Sequence, residues 1–94
     1  MIPPALNIQH NTAASCFEVT LAGHRAECAY HRQGDVLVLH HTGVPDALQG
    51  QGVAAALVAH TLGWARQQGL RVRPTCSYVA SYMRRHAETQ DLLA

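Results

Sequence analysis

The sequence predicts an α+β domain: an antiparallel meander first, then a strand–helix–strand crossover and a closing helix. Three observations carry that prediction. Apolar and polar residues alternate with period two over much of the first 41 positions. The period changes to that of a helix after residue 49. Short segments containing Gly, Asn or Pro separate the patterned stretches. A chain of 94 residues holds one hydrophobic core and little else, so one domain over 1–94 is expected.

Residues 1–15 are weakly patterned, with 6–10 expected as a short edge strand turned by Asn11-Thr12. In 16–21, Phe17, Val19 and Leu21 alternate with Glu18 and Thr20, the pattern of a half-buried strand. Ala22-Gly23-His24 suits a hairpin turn. Residues 25–31 place Ala26, Cys28 and Tyr30 on one face and Arg25, Glu27 and His31 on the other. Gln33-Gly34-Asp35 turns the chain again. Val36 to His41 is the most apolar strand and is expected at the centre, covered on both faces. Thr42-Gly43-Val44-Pro45-Asp46 is expected to break it, because Pro45 has no N–H for a ladder.

A helix is expected over 49–68, with Ala54, Leu57, Val58, Thr61, Leu62 and Ala65 as its buried stripe and Gly69 as its stop. A short strand follows at 70–73, closed by Pro74. Residues 77–86 form a second helix with Val79, Tyr82, Met83 and His86 on one side, and the tail from Glu88 adds a short turn carrying Leu92 and Leu93. The unit from 36 to 73 should then be a right-handed parallel crossover.

Composition narrows the function. With 48% hydrophobic and 14% charged residues, disorder is excluded. No apolar run reaches bilayer length. Met1-Ile2-Pro3-Pro4 lacks the basic region and apolar core of a signal peptide, so a cytoplasmic location is expected. A net charge of +1, from seven arginines and no lysine, argues against nucleic acid as a partner. Fifteen alanines beside no lysine hint at a GC-rich bacterial source. Three widely spaced cysteines make neither a disulfide framework nor a zinc ribbon. His40 and His41, as strand neighbours, are expected to face opposite ways and share no metal. No H-x-x-x-H spacing occurs, and no metal is expected.

The sharpest local signal is Gln49-Gly50-Gln51-Gly52-Val53-Ala54, between the apolar strand and the alanine-rich helix. Glycines admit a close backbone approach by a ligand. The first helical turn offers unpaired N–H groups at the positive end of the dipole, which suits a phosphate or pyrophosphate. The Walker Lys-Ser/Thr pair is missing, and so are the third glycine and distal acid of a dinucleotide fingerprint. A plain loop before a helix is the competing reading.

These residues resemble a family. Gln49-x-x-Gly52-x-Ala54 looks like the Q/R-x-x-G-x-G/A motif of the GNAT N-acetyltransferases. His41-Thr42-x-Val44-Pro45, Gly50-Gln51-Gly52 and Pro74-x-Cys76-Ser77-Tyr78-Val79 resemble small stand-alone GNAT-like acetyl-CoA-binding proteins, over residues 8–93. The resemblance implies a GNAT-like mixed sheet whose splayed strands take acetyl-CoA as cosubstrate. Leu39 to Val44 would pair with its pantetheine, and Gln51, Gly52, Val53 and Ala54 would give amides to its pyrophosphate. Thr42, Val44, Gln49 and Gly50 complete the binding set. Arg84 and Arg85 are further phosphate candidates, with a solvated helix face as the competing reading.

The acetyl group would lie near His41 and Cys76. Cys76 follows a strand and opens a helix, a position that favours thiolate, so it could accept the acetyl group; a small buried residue is the alternative. Tyr82 would protonate the leaving thiolate, with Tyr78 the second candidate and a core aromatic the competing role. Where the family commonly carries an acid, this chain has Gly43, which makes His41 the candidate general base. The implied function is acetyl transfer from acetyl-CoA to an unidentified amine, directly or through Cys76. The alternatives are a non-catalytic acetyl-CoA or CoA-binding module or sensor, and an interaction domain without a CoA site. Larger GNAT domains have additional N-terminal helices, so the acceptor side here should be open or completed by a partner chain or a second copy.

Overall fold

The computed structural model describes residues 6–94; the Met1-Ile2-Pro3-Pro4 segment lies outside the described residues. Five strands, β1 (Gln9–Asn11), β2 (Cys16–Leu21), β3 (His24–Gln33), β4 (Val36–Gly43) and β5 (Arg71–Pro74), form one sheet in the order β1-β2-β3-β4-β5. The first four are antiparallel and β5 joins β4 in parallel. The parallel pairing follows from the intervening helix α1 (Val53–Gln67), which carries the chain back across the sheet. Helix α2 (Ser77–Arg85) follows β5, and 3-10 turns at Asp46–Leu48 and Ala87–Leu92 complete the described chain. Among the described residues no helix is long and apolar enough to cross a membrane.

The alternation read in the sequence sets the two faces. Phe17, Val19, Ala26, Cys28, Leu37, Leu39 and Val72 point to the helices and are buried against Leu57, Val58, Leu62 and Ala65 of α1. Val79, Tyr82 and Met83 of α2 join the same core. Fully burying a Leu or Val side chain contributes about 1.5–3 kcal/mol, so this stripe holds α1 to the sheet. The other face carries Glu18, Arg25, Glu27 and His31, and no helix covers it among the described residues. The expectation that β4 is covered on both faces is therefore corrected. Val38 is buried on the open face by its neighbours in the sheet, between His31 and Arg73 in register.

Several boundaries move for identifiable reasons. The edge strand lies at Gln9–Asn11, opposite Glu18 to Cys16, rather than at 6–10. The hairpin between β2 and β3 is a two-residue turn with Ala22 and Gly23 at φ 50° and 79°, so His24 is already paired, with Leu21. β4 runs past Thr42 to Gly43, which pairs with Glu27. α1 starts at Val53, not 49, because Gly50 and Gly52 adopt left-handed φ of 80° and 76°. The tail turn is followed by a bridge from Leu93 to Val72, with Ala94 N–H donating to Val72 O at 2.9 Å, which covers the outer edge of β5.

One irregularity matters for function. Tyr30 pairs with Leu39 and Ala29 with His41, so His40 is an extra residue in β4, a β-bulge. His40 lies 5.3 Å from the His31 ring, and His41 lies beside Glu27, so both histidines project from the open face. The expectation that they face opposite ways is overturned, because the bulge interrupts the alternation on which it rested. Among the described residues no three His, Cys, Asp or Glu side chains come together as a metal site.

Candidate active site at the end of the fourth strand

The parallel ladder between β4 and β5 ends at the pair Leu39–Pro74. Pro74 has no N–H with which to prolong it. The next two N–H groups, of Thr75 and Cys76, both donate to Leu39 O at 3.1 and 3.0 Å, and the chain then turns into α2. Residues 40–43 of β4 are left without a strand on that side among the described residues. The bulge at His40 bends β4 at the same level. The sheet therefore opens into a gap beyond Leu39.

Beside this gap lies a cleft of about 450 Å³, lined by Thr42, Val44, Leu48, Gln49, Gly50, Gly52, Val53, Ala54, Ala55 and Tyr78. Two side-chain amides shape its turn: Gln49 Nε2 donates to Val44 O and Gln51 Nε2 to Ala47 O, each at 3.2 Å. Gly50 and Gly52 have open space where a side chain would be. The first N–H closing a bond within α1 is that of Ala56, to Gly52 O at 3.0 Å. No side chain caps the helix and no acid sits in its first turn. The N–H groups of Val53, Ala54 and Ala55 thus precede the intrahelical ladder at the positive end of the dipole, a setting for an anion.

Cys76 stands at the head of the gap as the residue before α2. Its Sγ is 3.6 Å from Thr42 Oγ1. Burial by itself pushes the thiol pKa up. The N–H groups of Val79 and Tyr78, with the Thr42 hydroxyl and backbone, outweigh that and bring it below the ordinary value. Cys28 is the contrast: desolvation in the core pushes it up to about 11. Cys16, on the open face beneath Arg25, is also raised by burial, with Glu18 adding to the effect.

The structure brings together Thr42, Val44, Gln49, Gly50, Gly52, Val53 and Ala54 from the sequence-derived set. Gln51 supports the turn from outside the cleft. His41 sits on the opposite face of β4 from Thr42, beside the gap. Tyr82 is elsewhere: its ring stacks on His86 at 3.9 Å and lines a separate cavity of about 210 Å³ between α1 and α2. Tyr78, one turn earlier, occupies the cleft wall instead. Arg84 and Arg85 lie exposed at the far end of α2, outside the cleft. Leu48 and Ala55 also line the cleft, and nothing in their spacing in the sequence separates them from ordinary core and helix positions.

A model of the GCN5-related N-acetyltransferases matches residues 16–92. The chain belongs to that family. The protein NATD1 of Mus musculus is 32% identical over 90 residues, covering 93% of this chain and 82% of its own. The Homo sapiens NATD1 is equally similar, with 80% of its length covered. A GCN5-like protein of Staphylococcus aureus, solved by NMR in solution, superposes with a TM-score of 0.76 at 25% identity, over 97% of this chain and 90% of that one. These relatives span animals and a bacterium, so similarity does not identify a source. Membership assigns the mixed five-stranded sheet to the GNAT-like fold and the chemistry to acyl transfer. Within that fold the open sheet and the glycine turn coincide at one end of α1, so this GCN5-related domain concentrates its candidate groups there.

Proposed function

We propose that the chain binds acetyl-CoA in the cleft and transfers its acetyl group to an amine, with Cys76 as an internal way-station. The observation that carries this reading is the turn at Gly50–Gly52. Both glycines are left-handed, both have room over their Cα atoms, and they deliver uncapped helix N–H groups into a cleft beside an unpaired strand edge. Such a cradle suits a pyrophosphate. The bare edge of β4 from His40 to Gly43 suits the amides of a pantetheine arm. The residues present fit this cosubstrate, and no resident metal is required by the step.

The Cys76 thiolate attacks the acetyl carbonyl carbon, the C–S bond to CoA breaks, and CoA leaves as a thiolate. Tyr78, on the cleft wall, is placed to supply its proton. An amine then attacks the acetyl-cysteine, forming the amide and releasing Cys76. A depressed thiol pKa serves both halves, since it favours attack and departure alike. The acceptor approaches from the open face of the sheet, the face on which a second chain would also seat.

Calorimetric titration with acetyl-CoA tests the binding step. We expect saturable binding, competition by CoA, and at least tenfold weaker binding in Gly52→Ala, a loss of about 1.4 kcal/mol. A methyl group there projects into the cleft, and a non-glycine residue at φ 76° also costs folding stability of about 1–2 kcal/mol. Gly52→Val is the poorer probe, because β-branching worsens that strain. Intact-mass measurement after incubation with acetyl-CoA should show one acetyl adduct that Cys76→Ser lacks. An unmodified protein that binds acetyl-CoA tightly would instead identify a non-catalytic binding module.

A further inference from the structure

Gly43, at the end of β4, has no side chain, yet the space over it is filled. A Cβ built there would lie 2.9 Å from His41 Nε2 and 3.8 Å from Glu27 Cγ. An imidazole from β4 and a carboxylate from β3 therefore converge over this glycine. Glu27 pairs with Gly43 in the ladder, which fixes the carboxylate's place. Its two oxygens are divided: Oε1 accepts from Arg25 Nη1, and Oε2 faces His41 Nε2 at 3.8 Å. Arg25 is itself tied to Glu18, which accepts from Asn11 Nδ2 at 2.8 Å. The carboxylate is thus aimed through a chain of contacts spanning β1 to β3.

This pair stands beside the gap where β5 has left β4, with Thr42 and Cys76 on the other side of the strand. Side-chain exposures of 56% for His41 and 27% for Glu27 leave the imidazole reachable and the carboxylate partly shielded. We propose that Glu27 is the positioning residue for His41, which takes a proton from an amine acceptor arriving as its ammonium. This rests on the acetyltransferase reading above.

The ammonium gives one proton to the neutral imidazole, and the Glu27 carboxylate offsets the charge of the imidazolium that forms. The freed nitrogen lone pair attacks the thioester carbonyl carbon. The C–N bond forms, the C–S bond of the acetyl-cysteine breaks, and the second nitrogen proton goes to the departing Cys76 thiolate; Cys76 then gives that proton to solvent while Tyr78 regains one, which restores both groups for the next turnover. His41 returns its proton to water. The charged groups facing this pair are Arg25 and Glu18 from β3 and β2, with His31 and His40 further along the open face. A like arrangement without function is a solvated surface ion pair, of little energetic consequence.

The test uses benzylamine at high concentration as the acceptor and follows CoA release from acetyl-CoA, with acetyl-CoA affinity measured separately by calorimetry. In Glu27→Gln we expect kcat to fall at least tenfold and its pH profile to change, while the Kd for acetyl-CoA stays within twofold. His41→Gln should lose at least as much, and the double variant no more than His41→Gln alone, the non-additivity of groups acting as a unit. Glu27→Asp should restore part of the rate. In Gly43→Ala the added methyl should displace the imidazole and lower kcat. Wild-type kcat and pH profile in Glu27→Gln would overturn the proposal. So would a wild-type protein that binds acetyl-CoA but releases CoA no faster when the amine is added. Absence of acetyl-CoA binding would overturn the cosubstrate reading itself, which the calorimetry detects independently.

Discussion

A thiol reacts at neutral pH in proportion to its thiolate fraction and its access, and the three cysteines here differ in both. Cys76 is partly exposed with N–H and O–H donors around its sulfur; Cys16 and Cys28 are buried with raised pKa values. Brief treatment with iodoacetamide at pH 7 should therefore modify Cys76 first, with Cys16 and Cys28 reacting only on unfolding, as peptide mass spectrometry would show. A second residue-scale prediction concerns Ala22, held at φ 50° in the β2–β3 turn. Glycine carries no Cβ penalty there, so Ala22→Gly should raise unfolding stability by about 1 kcal/mol, read from denaturant midpoints. The position of Cys76 was legible because strand, proline and helix signals bracket it. The role of Glu27 was not, because its pairing with Gly43 depends on β4 continuing two residues beyond the stretch that looks like a strand.

Single elements of the fold make their own commitments. Strand β1 is three residues long, and its His10 stacks on Phe17 at 4.1 Å, meets Trp64 edge-on at 4.8 Å and bonds Tyr30 Oη at 2.7 Å. Burial lowers its pKa below 6.5, with His60 adding a smaller push in the same direction. A native pKa below the unfolded one means that its contribution to stability is complete above pH 6.5 and is lost as pH falls through the native value. Equilibrium unfolding between pH 7 and 5 should show that loss, and His10→Phe should reduce its slope. Helix α1 answers to packing instead. Leu62 is 3% exposed in the core, and Leu62→Ala should cost about 2–5 kcal/mol. The helical period identified Leu57, Val58, Thr61, Leu62 and Ala65 as the buried stripe, and all five are buried. Ala54, assigned to the same stripe, instead borders the cleft. Period alone does not say where the layer beneath a helix ends.

At the scale of the molecule, the cleft joins the end of β4 and the start of α1, which a short loop connects, to the start of α2, which lies beyond the whole of α1 and β5. A ligand seated there ties them together, so acetyl-CoA at a hundred times its Kd should add about 2.7 kcal/mol to unfolding stability, read as a rise in Tm. The order of strands and the parallel crossover were legible, since short turns and a single intervening helix leave few alternatives. The one-sided helix cover was not, because Val36 to Leu39 has the composition of a strand buried on both faces. The bulge was equally hidden: two adjacent histidines carry no mark of which one is extra. That surplus residue has an unexpected genetic reading. Deleting His40 would leave His41 opposite Ala29 and Thr42 opposite Cys28, and every motif residue would survive. The straightened strand would be free to zip further along the chain leaving β5. Such a protein would look intact to any comparison of its motifs, while hydrogen exchange would find residues 41–43 newly protected and the entrance shut. One codon, specifying a residue outside the cleft lining, keeps the door ajar.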